Sequence, residues 1–164
     1  MQICEEINRT KLNRVIQHQA TPDVPASDGA VRLRLATSSD VSVICELVRA
    51  LALYERAPES VKTTTSTFLA DGYQGDKFFY VILAEYFPTS PESAAPIPVG
   101  MALFYIAYST WEGKVLYLED LFIQESFRGS GLGKTLMVTL AGVARGIRAA
   151  RFQWQALDWN TPAL

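Results

Sequence analysis

The sequence predicts a single α/β (α+β) domain in three layers, with helices flanking a mixed sheet. Three observations lead there. Apolar residues make up 49% and charged residues 20% of the 164 residues, a globular composition on a chain long enough to bury a core. Apolar spacing switches along the chain between continuous or alternating runs, which suit strands, and stripes at helical spacing. The resulting order, β-α-α-β-β-β-α-β, interleaves the two kinds of element.

Each element has a local reason. Residues 1–30 read as an N-terminal extension. The stretch from Ile3 to Gln19 has weak helical character, and Thr21–Gly29, with Pro22, Pro25 and Asp28-Gly29, is a turn-rich linker. Glu5 and Glu6 count against a transit peptide, and a secretory apolar stretch is absent. The folded domain is placed at residues 31–164 and opens with Val31–Leu35, which alternates apolar and polar like a half-buried strand. Ser39-Asp40 offers a cap for a helix whose stripe is Val41, Ile44, Leu47, Val48 and Leu51. Pro58 stops it, and Thr63–Leu69 begins a second helix. Phe78–Ala84 is apolar throughout and reads as a central strand. After a proline-rich loop come strands Val99–Tyr108 and Val115–Ile123, separated by the Glu112-Gly113 turn. Leu132, Leu136, Leu140, Val143 and Ile147 stripe the next helix, and Arg151–Trp159 reads as a last strand.

Composition also excludes. The net charge of −2 gives no bulk attraction to nucleic acid. Five basic residues and no acid fall between Ser126 and Leu157, leaving 10 basic against 17 acidic elsewhere, a net of −7. One segment is therefore suited to an anion. The longest apolar run, Val99–Tyr108, is well short of the ~18–20 residues that span a bilayer. Cys4 and Cys45 form no metal or redox spacing, so no metal is expected, and a reducing, cytoplasmic setting is the default. His18 has no nucleophile in reach to make a triad.

The chemistry sits in Arg128-Gly129-Ser130-Gly131-Leu132-Gly133-Lys134-Thr135, between a strand and a helix. Glycines let main-chain N–H groups approach an anion, and a helix start adds its positive dipole end. Three phosphate motifs compete. Gly133-Lys134-Thr135 matches the end of a Walker loop, but Arg128 stands where its first glycine belongs. The spacing of Gly129, Gly131 and Gly133 also misses the G-x-G-x-x-G dinucleotide pattern. The pattern R-x-x-G-x-G is satisfied by Arg128, Gly131 and Gly133.

That last pattern resembles the acetyl-CoA pyrophosphate motif of the GNAT acetyltransferase superfamily. Three further segments sharpen the resemblance toward the spermidine/spermine (diamine) N-acetyltransferases. Trp111–Ile123 resembles their W-x-G-K-x-L-Y-L-E-D-x-F-V/I strand, Tyr54-Glu55 their Y-E at the end of the first helix, and Asp158–Pro162 their W-N-x-P. The resemblance implies acetyl transfer from acetyl-CoA to a primary amine of a small molecule by direct attack. An alkyl amine has a pKa of ~10.4 and is mostly protonated at neutral pH, so a base must accept a proton. The resemblance assigns that role to Glu119, which also contacts the substrate. Alternation along a strand puts Glu119 and Asp120 on opposite faces, so only one should face the acetyl group. Main-chain groups of Leu121, Phe122 and Ile123, on a strand that splays from its neighbour, would meet the acetyl and pantetheine. Residues Arg128, Gly129, Ser130, Gly131, Leu132, Gly133 and Lys134, with Asn160, would hold the rest of acetyl-CoA. Tyr54, Glu55, Trp111 and Glu119 would hold the amine through charge and cation–π attraction. The family also implies a mostly antiparallel central sheet and a homodimer.

Two departures shape the expectation. Ser109 stands where that family has an aspartate, and Arg56-Ala57-Pro58-Glu59 is less acidic than its counterpart. Both favour a thialysine-like amine, another small amine or an amino acid at least as much as a polyamine. The family's thiolate-protonating tyrosine, counted on from Trp159, would fall beyond Leu164. The last helix and closing strands would also lie beyond it, leaving the final strand with an open edge. The alternative expectation is a non-catalytic acyl-CoA-binding or interaction protein.

Overall fold

The computed structural model describes residues 12, 14–16, 24–26, 29–89, 95–158 and 160. Six strands form one sheet in the order of the chain: β1 (Val24–Ala26), β2 (Gly29–Leu35), β3 (Tyr80–Pro88), β4 (Ile97–Ser109), β5 (Gly113–Ile123) and β6 (Arg151–Trp154). The first four pairings are antiparallel, and β5 with β6 is parallel. The β2–β3 connection carries α1 (Val41–Tyr54) and α2 (Thr65–Tyr73); the β5–β6 connection carries α3 (Leu132–Gly146). Short turns join the antiparallel β1–β2 and β4–β5 pairs, the two helices join β2 to β3, and the parallel pair needs a crossover helix.

The helices take opposite faces of the sheet. Ile44, Leu47 and Leu51 of α1 bury against Val81, Leu83, Met101, Leu103 and Phe122. Phe68 of α2 joins them and meets Phe79 edge-on at 5.4 Å. Thr64 caps α2, its hydroxyl accepting from the Thr67 N–H, which satisfies a donor the helix cannot use itself. On the other face, Leu132, Leu136, Leu140 and Val143 of α3 pack on Ile82, Ala102, Phe104, Leu116 and Leu118.

Three expectations change. Within the stretch read as an extension, residues 12 and 14–16 are helical, and Leu12 and Ile16 are buried in the α3-side core. Weak helical propensity was the visible signal there; burial of a few apolar side chains overrides it. The linker contains β1, which pairs with β2 across the two residues at 27–28. The last strand ends at Trp154, and residues 155–157 leave the sheet. His18, Cys4, Trp159 and Pro162 lie outside the described residues. No helix among the described residues is long and apolar enough to cross a membrane.

Candidate active site

The site begins where β5 and β6 separate. They pair only from Val115 opposite Arg151 to Leu118 opposite Trp154. Strand β5 runs on to Ile123, while the chain after Trp154 turns away. Along that edge of β5, residues 119–123 have no strand partner among the described residues. Their main chain lines a cleft, as the splayed strand of the sequence reading requires.

Three other segments complete the cleft: the end of α1 with Leu51, Tyr54 and Glu55, the loop and first turn of α3 with Arg128, Gly129, Gly131, Gly133 and Lys134, and the chain after β6 from Trp154 to Leu157 with Asn160. Gly129 and Gly131 hold φ of +75° and +88°, in the left-handed region that side chains disfavour. A Cβ at either would meet nothing within 4 Å, so the space above the loop is open. Gly131 is the cap residue of α3 and supplies no side chain to its first turn. Free N–H groups at a helix start, facing open space, form an anion cradle.

The two carboxylates do not alternate. Leu103 pairs with Asp120 but Phe104 with Leu118, so Glu119 is the extra residue of a bulge. The core records the change of phase: Leu116 and Leu118 pack on the α3 side, and so do Leu121 and Ile123, three residues or more further on. Phe122 packs on the α1 side. An unbroken strand would send residues 118 and 121 to opposite faces. The bulge therefore turns both Glu119 and Asp120 into the cleft, correcting the expectation that only one could face it. Bulges re-aim side chains in this way beside active sites.

Burial pushes the Asp120 carboxyl up to about 6, with help from the negative charges of Glu119 and then Glu55. Desolvation and like charge both disfavour the ionised form. The phenol of Tyr105, stacked on Tyr117 at 5.1 Å, is also pushed up, by desolvation first and then by Glu119.

The structure brings most of the expected residues to the cleft wall, and three of them, Trp111, Ser130 and Leu132, lie off it. Trp111 is 95% exposed in the β4–β5 turn and does not line the cleft. Leu132 is buried against the sheet, and the Ser130 hydroxyl donates to the Phe127 carbonyl at 2.7 Å. Both leave only main chain to the loop. Sequence reasoning missed Met137, Trp154, Gln155, Ala156 and Leu157 in the cleft wall. Their signal was positional: residues that follow a parallel strand emerge at the end where the preceding crossover helix starts. Asn160 accepts a hydrogen bond from the Tyr54 hydroxyl at 3.2 Å. The guanidinium of Arg128 lies over the Tyr54 ring, 4.4 Å from its centroid.

Known proteins resemble this chain in sequence and in fold. The profile of the acetyltransferase (GNAT) family matches residues 46–164. Mouse (Mus musculus) thialysine N-epsilon-acetyltransferase is 36% identical over 135 residues, 82% of this chain and 79% of the relative. Human (Homo sapiens) spermidine/spermine N(1)-acetyltransferase-like protein 1 is 29% identical over 81% of this chain and 19% of its own length. Among solved structures, an aminoglycoside acetyltransferase from an uncultured soil metagenomic sample superposes with a TM-score of 0.65 at 16% identity. It covers 81% of this chain and 82% of its own, a likeness of fold.

Proposed function

We propose, on the premise that the chain belongs to the acetyltransferase (GNAT) family, that its substrate is a small primary amine of the thialysine, diamine or amino-acid kind. The chain is an acetyl-CoA-dependent N-acetyltransferase. The observation that carries the choice of amine is the convergence of Glu55, Glu119 and Asp120 in one cleft with the glycine loop. Every charge that raises Asp120 is negative, and an ammonium group placed there relieves all three carboxylates at once.

The residues fit acetyl-CoA: the open cradle at Gly129 and Gly131 suits a pyrophosphate, and the unpaired edge of β5 suits a pantetheine amide. When bound, acetyl-CoA supplies a carbonyl activated as a thioester. The protein does the rest. Glu55 and the Tyr54 ring hold the incoming cation by charge and cation–π attraction. Glu119 and Asp120 would take a proton from the ammonium and so expose its lone pair; as the C–N bond forms the C–S bond would break, and coenzyme A would leave as the thiol with the second proton of the amine. Main-chain N–H groups within 121–123 meet the carbonyl oxygen as it gains charge, an effect that is worth about 3 kcal/mol per well-placed donor. Lys134 and the loop N–H groups would hold the pyrophosphate, and Asn160 would hold another part of the cofactor.

The test is thiol release from acetyl-CoA with a panel of thialysine, lysine, ornithine, diamines and spermidine. Release with thialysine or a diamine, ahead of spermidine, is the expected result. Polyamines as the best substrates would overturn the amine assignment. Coenzyme A raising the melting temperature with no thiol released from any amine would instead support a non-catalytic acyl-CoA-binding protein.

A further inference from the structure

Arg128 opens the R-x-x-G-x-G pattern, and a cation at that place invites assignment to the pyrophosphate. The side chain is committed elsewhere. Its Nε donates to the Ile123 carbonyl at 3.0 Å. Its guanidinium carbon lies 4.4 Å from the centroid of Tyr54 and 5.8 Å from that of Phe122. A planar guanidinium stacks on an aromatic face more effectively than an ammonium does. The anion cradle is complete without it, since loop N–H groups, the start of α3 and Lys134 already line that part of the cleft.

Tyr54 is the last residue of α1, and Glu55, of the acidic cluster, follows it. The helix ends with Arg56 in the left-handed region at φ +61°, and the Ala57 N–H returns to the Ala52 carbonyl at 2.9 Å. A non-glycine residue in that conformation costs energy unless its surroundings hold it there. That returning hydrogen bond holds it, and Arg128 on the Tyr54 ring and Asn160 on its hydroxyl add contacts from across the cleft. They join the amine side of the cleft to its cofactor side.

We propose that Arg128 is a positioning residue that couples the two sides: it holds Tyr54, and through it Glu55, where the amine binds, instead of binding the pyrophosphate. The idea rests on the amine-acetyltransferase reading. Ordering residues 128–133 on a pyrophosphate fixes Arg128, and fixing Arg128 fixes the end of α1. Cofactor and amine then bind with positive coupling, and linkage requires the coupling to be the same in both directions.

The experiment is calorimetry of coenzyme A and of the tightest-binding amine of the panel, each alone and in the presence of the other. In the wild-type protein, coenzyme A tightens the amine roughly two- to five-fold, the range of an exposed cation–π contact. Arg128→Gln removes that coupling while coenzyme A alone binds within about threefold of wild type. Tyr54→Leu removes it too, and the double variant loses nothing more, because the two side chains act as one unit. Tyr54→Phe keeps the ring and most of the coupling. Arg128→Lys keeps a cation, restores part of the coupling and serves where Arg128→Gln fails to fold. Loss of coenzyme A affinity by tenfold or more in Arg128→Gln, with coupling intact, would return Arg128 to the pyrophosphate and sink the proposal. Additive effects of Arg128→Gln and Tyr54→Leu, or a wild-type protein without coupling, overturn it as well. A wild-type protein that couples the two ligands but releases no thiol overturns only the proposed reaction.

Discussion

Two groups of charged residues lie on the α1 side of the sheet, and they are built on opposite principles. In the first, Arg34 of β2 reaches two carboxylates in forked geometry. Its Nη atoms donate to both oxygens of Asp40 at 2.8 Å, and its Nε and Nη2 donate to the oxygens of Glu85 at 2.8 and 2.6 Å. In the second, Glu55, Glu119 and Asp120 face one another. The consequence appears in Asp40 and Asp120. The guanidinium hydrogen bonds of Arg34 hold Asp40 down at about 2, while burial and like charge push Asp120 up to about 6. A carboxylate whose charge is already answered holds the fold together; one whose charge is not is free to take a proton or a cationic ligand. The first group pins β2, β3 and the start of α1. The second waits for its counter-charge at the end of that same helix.

The largest expected effect falls on the second group. Glu119→Gln combined with Asp120→Asn lowers kcat/KM for the amine by ~10²–10⁴-fold, the usual weight of general-base catalysis, with the coenzyme A dissociation constant little changed. Activity within tenfold of wild type would make the pair bystanders and erase the contrast. Next comes the first group. Arg34→Met strands the buried Glu85, whose side chain is only 9% exposed. Breaking such a pair costs about 3 kcal/mol, at the low end of the usual range because Arg34 itself is 36% exposed. Thermal denaturation reads it, and a fall in Tm of less than about 2 °C would contradict it.

The pH dependence separates the groups by sign. Asp120 is raised when folded, so its ionised form destabilises the protein above pH 6, and the deficit fades as pH falls from about 6 toward the unfolded value of about 4. Asp120→Asn is therefore expected to stabilise the protein at pH 7.5 by about 1–3 kcal/mol and to leave it unchanged near pH 4. In the wild-type enzyme, Asp120 gives kcat/KM an acid limb with an apparent pKa near 6, and Asp120→Asn displaces that limb. Asp40 is depressed when folded, so its contribution is complete above pH 4 and is lost as pH falls through about 2. Asp40→Asn lowers stability at pH 7 and flattens the acid side of the curve. The smallest effect is on Glu55→Gln, expected to raise the amine KM roughly tenfold with kcat nearly unchanged, since a binding contact made equally in ground and transition states moves KM.

Much of the fold was legible because helical stripes such as Val41, Ile44, Leu47 and Leu51, and apolar runs such as 78–84, are local patterns with a single period. The glycine loop was legible for the same reason: its residues sit side by side and their geometry is set by the chain itself. The N-terminal segment was not, because Leu12 and Ile16 bury only against strands and a helix distant in sequence. Trp111 matched a motif yet stands exposed on a turn, since a motif does not say which way a hairpin end points.

By itself, the sequence determined the alternation of elements and the anion loop of residues 128–135, and it put forward the carboxylates Glu55 and Glu119, but not Asp120, as candidates for chemistry. Tertiary structure decided how they are used. Whether adjacent carboxylates share a cleft depends on the register of β4 against β5, and a bulge at Glu119 leaves no trace in local spacing. Whether Arg128 meets a phosphate or an aromatic ring depends on where α1 ends in space. Register and the meeting of distant elements are set by packing across the whole sheet, and no window of neighbouring residues contains them.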